Sequence, residues 1–172
     1  MTAGPLAAGV VALVGLVVSP ATGADPLEQV RQATAAYQDV SAAIDGGYVQ
    51  FFGCVHEPLA GSMGIHFVNG ALARDGVVDP ATPEVLMYEP APDGTLELVG
   101  VEYVVFKAAW DADNASPPEL FGLPFNVVEE PSRYGIETFY ELHAWAWKDN
   151  PNGPHEDWNP AVVCPYTEGH TH

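Results

Sequence analysis

Basic residues are scarce in this chain. Only Arg31, Arg74, Lys107, Arg133 and Lys148 are positively charged, against 23 Asp and Glu, and the formal net charge is −18. Proteins grip a phosphate backbone with clusters of Lys and Arg. No such cluster exists, so no nucleic-acid partner is expected, and an anionic membrane surface would repel the chain. Cysteine is almost missing too. Cys54 and Cys164 lack the C-x-x-C spacing of thiolate metal sites. In an exported chain an even pair reads first as a disulfide, here closing a long loop worth about 4–5 kcal/mol in the chain-entropy picture. There is no G-x-S-x-G elbow, P-loop, dinucleotide fingerprint or H-E-x-x-H, and no internal repeat. The polar stretch Asp149–Pro160 has the composition of a calcium loop. However, Pro151 stands at the third position and no Glu at the twelfth, which breaks the ligand pattern.

Charge is absent from the first 24 residues. Leu6–Val18 is apolar, Pro20 breaks the run, and Ala21-Thr22-Gly23-Ala24 places small residues where a signal peptidase would cut after Ala24. The apolar core is too short for a comfortable membrane span, although no Lys or Arg precedes it. The expectation is a signal peptide over 1–24, one globular domain over 25–166 and a flexible tail over 167–172. The protein is then secreted or periplasmic, with no stable membrane insertion after cleavage. Oligomeric state is not readable.

Asp25-Pro26-Leu27-Glu28 reads as a helix start, with Asp25 as cap, Pro26 in the first turn and Glu28 closing a capping box. Leu27, Val30, Ala33, Tyr37, Val40 and Ile44 recur at helical spacing until Gly46-Gly47. Short strands follow, separated by turn residues: Tyr48–Val55, Met63–Val68, Val85–Tyr88, Leu96–Phe106, Phe125–Val128 and Thr138–Trp147. Turn signals are Asn69-Gly70, Asp75-Gly76 and Asp93-Gly94. The fold class expected is α+β: a curved or barrel-like antiparallel sheet covered by the N-terminal amphipathic helix.

Ligand-type residues stand inside these apolar strands. In ETFYELHAWAWK, strand alternation puts Phe139, Glu141, His143, Trp145 and Trp147 on one face. In LELVGVEYVVF, Glu102 is the only acid in a row with Leu96, Leu98, Gly100, Val104 and Phe106. His66 lies in a glycine-bounded run, and glycines permit close approach of a ligand or another backbone. Buried polar groups of this kind need a metal, a counter-charge or a hydrogen bond. Two imidazoles and a carboxylate suit zinc or non-haem iron, and imidazole also suits copper. The candidate metal ligands are His66, His143 and either Glu102 or Glu141, with Glu141 alternatively orienting a ring. Tyr103 or Tyr140 could assist proton transfer, unless strand parity turns them away. His56 reads as a surface residue at a strand end, and His155 as solvated.

The runs GCVHEPLAGSMGIHFVNGAL, LELVGVEYVVF, GIETFYELHAWAWKDNPNG and DWNPAVVC resemble an uncharacterised family of small exported bacterial proteins. That family carries G-x-H-[FY]-V-N, G-V-E-Y and F-Y-E-L-H-x-W-A-W-K segments. The resemblance spans roughly 53–164 in spaced blocks. It implies that His66, Glu102, Glu141 and His143 belong to one domain, and it supplies no activity. Three readings stand: an exported soluble metalloprotein, with a metal-dependent enzyme as one form of it; a non-catalytic small-ligand module whose pocket is lined by Phe139, Trp145 and Trp147; and a structural domain whose buried polar groups satisfy one another.

Overall fold

The computed structural model describes Met1 and residues 25–165. The expected leader cleavage and the tail lie outside the described residues. Asp25 caps helix α1 (Pro26–Thr34) by accepting from the Leu27 N–H at 3.2 Å. Glu28 closes no capping box. Its carboxylate instead takes Arg31 Nε at 2.9 Å and Gln32 Nε2 at 3.0 Å. The continuous helix expected to Ile44 is interrupted by a 3-10 turn at Ala35–Gln38, after which α2 runs Val40–Asp45. The cause is Asp39, whose side chain accepts from Ser41 N–H at 2.9 Å and so starts a new helix.

The strands are β1 (Val49–Glu57), β2 (Gly61–Val68), β3 (Val85–Pro90), β4 (Leu96–Phe106), β5 (Glu119–Leu120), β6 (Leu123–Pro124), β7 (Asn126–Val128) and β8 (Phe139–Ala144). Six of them form an antiparallel, curled half-barrel in the order β1-β2-β3-β4-β8-β7, while β5 and β6 pair separately. Asp93-Gly94 makes the tight β3–β4 hairpin, where Asp93 Oδ1 accepts from Thr95 N–H at 3.0 Å. The Asn69 side chain serves the chain after β2 differently, accepting from Ala71 N–H and Leu72 N–H ahead of a short 3-10 turn. A third helix, α3 (Lys107–Asp113), follows β4 in a stretch with no element expected from the sequence.

Each face of the sheet has its own apolar cluster. Phe67, Leu86, Tyr88, Val101, Tyr103 and Leu142 belong to one, together with Val30 and Ala43 from the helices. Val85, Met87, Val99, Val104, Phe139 and Trp145 belong to the other. Strand alternation fails in β4 and again after β8, as it also does in the β1–β2 ladder. In the β3–β4 ladder Met87 faces Gly100 but Tyr88 faces Leu98, leaving Val99 as an extra residue. This bulge inverts the alternation, so Leu96 and Leu98 join the Tyr103 face rather than the Glu102 row. The last strand ends at Ala144, not Trp147, because Ala146 N–H turns back to Ala144 O at 2.9 Å. The three-residue turn separates the two tryptophans. Trp145 stays with Phe139, while Trp147 packs on the opposite cluster and donates from Nε1 to Thr34 Oγ1 at 2.9 Å.

Cys54 and Cys164 form a disulfide, with Cα atoms 5.6 Å apart, tying β1 to the C-terminal segment. Intact mass should rise by two hydrogens on reduction, and free thiols in exported protein would contradict the pairing. Among the described residues, no helix is long and apolar enough to cross a membrane.

Candidate metal centre

Strands β2, β4 and β8 carry the ligand-type side chains. Glu102 and His143 are direct cross-strand partners, so their side chains leave the same face side by side. His66 reaches the same place from two strands away. It pairs with Met87, which in turn pairs with Gly100, two residues before Glu102. His66 Nε2 lies 3.7 Å from Glu102 Oε2. One ligand-type atom from each of His66, Glu102 and His143 falls within 4.8 Å of the others, and all three residues are buried. Glu141, His143 and Asp157 make a second grouping of the same dimension, sharing His143 with the first.

The four ring nitrogens of His66 and His143 are buried and make no well-aligned hydrogen bond; carboxylates stand beside them, Glu102 for His66 and Asp157 for His143. An orphaned buried polar atom costs about 1–3 kcal/mol, and native proteins carry few of them. His143 Nδ1 comes within 3.4 Å of Asp157 Oδ1, an ion-pair distance without hydrogen-bond alignment. Burial, reinforced by the neighbouring His143, pushes the His66 imidazole down to about 3. His66 is therefore neutral at physiological pH, the form that can donate a lone pair. Burial raises the Glu102 carboxyl well above its usual range, and the adjacent Glu141 raises it further. Asp157 is held below the usual carboxylate range, chiefly by the His143 ring beside it. A dication among these groups would supply the missing partner for the nitrogens and offset the crowded carboxylates.

The 149–160 loop delivers Asp157, and it is tied down at both ends. Trp145 N–H donates to Pro154 O at 2.9 Å, and Trp145 Nε1 donates to Glu156 O at 2.6 Å. His155 Nδ1 sits 2.7 Å from His143 O. Asn159, fully buried, bonds Asp149 O through Nδ2 at 3.2 Å, and its backbone pairs with Ser62 of β2. The glycines around His66 therefore serve close backbone approach. A Cβ on Gly61 would come within 2.5 Å of the Asn159 carbonyl carbon, and one on Gly64, whose φ is +88°, within 2.5 Å of Tyr88 O.

Tyr103 and Tyr140 lie on the opposite face, where strand parity puts them, donating to Pro80 O and Asp111 Oδ1, both at 2.9 Å. Tyr134 is the tyrosine near the site. Its ring centroid lies 6.3 Å from that of His66, and burial together with Glu102 and Glu141 raises its phenol. His155 is half-buried and stacked on Phe121, not solvated. His56 is exposed on β1, as its turn context implies.

A cavity of about 260 Å³ opens beside the cluster. His66 and Glu102 line it, among apolar walls from Val85, Val104, Phe106, Tyr134, Ile136 and Phe139. Of the three aromatics expected to line a pocket, only Phe139 does so. Trp145 is 2% exposed and stacks on His143, with centroids 6.2 Å apart, and Trp147 is on the other side of the sheet.

Glu84 is a separate buried carboxylate, accepting from Val104 N–H at 2.9 Å. Burial pushes it up to about 7. The folded state thus holds this proton above the unfolded value near 4.5, so its stabilising contribution is full below about pH 4.5 and is lost as pH rises through 7. Glu84→Gln, which preserves an acceptor for Val104, should raise the denaturation midpoint at pH 8 and leave it unchanged at pH 4. Equal midpoints at both pH values would contradict the assignment.

Comparison with known proteins returns no matching family, no similar curated protein and no similar solved structure. The site therefore stands on its own chemistry. Buried groupings of His, Glu and Asp are present that could hold a metal ion.

Proposed function

We propose that the protein is an exported metalloprotein, and that His66, Glu102 and His143 bind one divalent transition metal of the zinc, copper or iron type. The carrying observation is the convergence of His66, Glu102 and His143 on one buried face, with the imidazole nitrogens short of well-aligned hydrogen bonds. Two nitrogens and one oxygen form a donor set used by zinc and non-haem iron. Asp157 Oδ1 lies by His143 Nδ1, which leaves Nε2 for the ion and makes Asp157 the carboxylate that orients the ring. Glu141 is the neighbouring acceptor. The disulfide supports an oxidising compartment, and the resemblance to small exported proteins agrees with it. On the opposite face, the burial of Val30 and Ala43 beside Leu86 supports α1 and α2 as a cover for the sheet.

A bound ion of this type acts as a Lewis acid and lowers the pKa of a bound water. The chain's own residues supply the rest. Trp145 excludes water behind His143, and Asp157 steadies that ring. His66 and Glu102 present the centre to the cavity, and Tyr134 closes one wall. The test is a zinc titration in competition with a chromophoric chelator, using protein whose His170 and His172 are changed to Ala. Binding of about one equivalent is expected. Asp157→Asn and Glu141→Gln should each weaken affinity by about 10–100-fold without abolishing it. Unchanged affinity in both variants would remove their supporting roles, and no binding by the parent would remove the site.

A further inference from the structure

Two of the three proposed ligands line the cavity, while His143 is fully buried away from it. An ion held here would have protein on the His143 and Trp145 side, and an open coordination position would face the largely apolar cavity that His66 and Glu102 line. His66 is 4% exposed, lines that chamber and makes no well-aligned side-chain hydrogen bond, its nearest carboxylate being Glu102 at 3.7 Å. From this geometry, and resting on the metal reading above, we infer that the cavity binds a small neutral molecule with an apolar body and one oxygen donor, such as an alcohol, directed at the ion.

The head group follows from charge. Glu102, Glu141 and Asp157 stand in the two groupings that share His143, so three carboxylates would already face a dication held there. An anionic head would add repulsion in a poorly solvated place, and the chain's charge of −18 disfavours anions at longer range. Among the described residues, Arg74 is the only cation lining the chamber. It is engaged already, donating from Nη1 to Gly70 O at 2.9 Å with its guanidinium carbon 5.7 Å from the Phe106 ring centroid. The body follows from the walls: Val68, Val85, Val104, Phe106, Ile136 and Phe139 favour aliphatic or aromatic carbon.

The experiment uses the full chain with its tail histidines replaced, in zinc-free and zinc-loaded forms, with metal content measured on each. Cyclohexanol and cyclohexanecarboxylate, which share a body and differ in head charge, are titrated while the methyl resonances of Val85 and Val104 are followed. Cyclohexanol should move these signals saturably, bind more tightly to the zinc-loaded form, and exceed the carboxylate in affinity by about tenfold or more. Ile136→Trp, at a half-buried wall position, should abolish the response while zinc stoichiometry persists. Stoichiometric zinc with unmoved methyls, or with equal binding of the carboxylate, overturns this inference and leaves the metal reading standing. Zinc-loaded and zinc-free forms binding cyclohexanol equally also overturns it. No bound zinc overturns both.

Discussion

Glu102→Gln should eliminate stoichiometric metal binding, weakening it by more than about 100-fold, beyond the range expected for an orienting residue. The same change should stabilise the metal-free protein at neutral pH. Glu102 is buried beside Glu141, and its carboxyl is raised well above the usual range. A raised carboxyl contributes stability that is full below the unfolded value near 4.5 and is lost as pH climbs through the folded value. Gln is neutral throughout and escapes that loss. The metal-free variant should therefore unfold at a higher denaturant midpoint than the metal-free parent at pH 8, with the difference vanishing near pH 4. Functional centres commonly trade stability for binding in this way. A variant that loses metal and is also less stable at pH 8 would point to a structural role for Glu102 instead.

Trp145→Ala should cost about 3–5 kcal/mol, the range for a buried large aromatic. Three connections are cut together. The ring leaves the cluster of Val85, Met87 and Val99, the Nε1 bond to Glu156 O is lost, and His143 loses the ring stacked upon it. Because Trp145 holds both His143 and the loop that carries Asp157, metal affinity should fall as well. Leu59→Ala, at a fully exposed position, should stay within about half a kcal/mol. Urea denaturation of both variants checks this, and matching midpoints would remove Trp145 from the account.

Period-two alternation made the core of the site legible. Three strands with a polar residue in an otherwise apolar row, at His66, Glu102 and His143, meet on one face of the sheet. Alternation is local, however, and irregularities defeat it. The Val99 bulge inverts the faces of the residues before it relative to those after it, and the turn at Ala144–Ala146 inverts the residues that follow. Leu96, Leu98 and Trp147 therefore lie on the face opposite to the one plain alternation gives them. Asp157 could not be placed from spacing, since a loop side chain is positioned by tertiary bonds. The one local clue was an acid immediately before Trp158, an aromatic that packs back onto the sheet. Tyr134 carried no signal at all. It lies within the Ser132–Gly135 turn, and only the packing of that turn against Phe139 of β8 brings it near His66. Helix α3 was hidden because KAAWDAD is short, although it holds good helix formers and a Lys107–Asp111 pair.

On the proposed reading, one metal ion sits between His66, Glu102 and His143. Elemental analysis of untagged protein, with His170 and His172 replaced so that the tail cannot retain metal, tests it most directly. The parent should carry about one equivalent of a divalent transition metal, or take it up on zinc addition and dialysis. The double variant His66→Ala/His143→Ala should carry none under identical treatment. Stoichiometric metal retained in the double variant, or none taken up by the parent, would contradict the account.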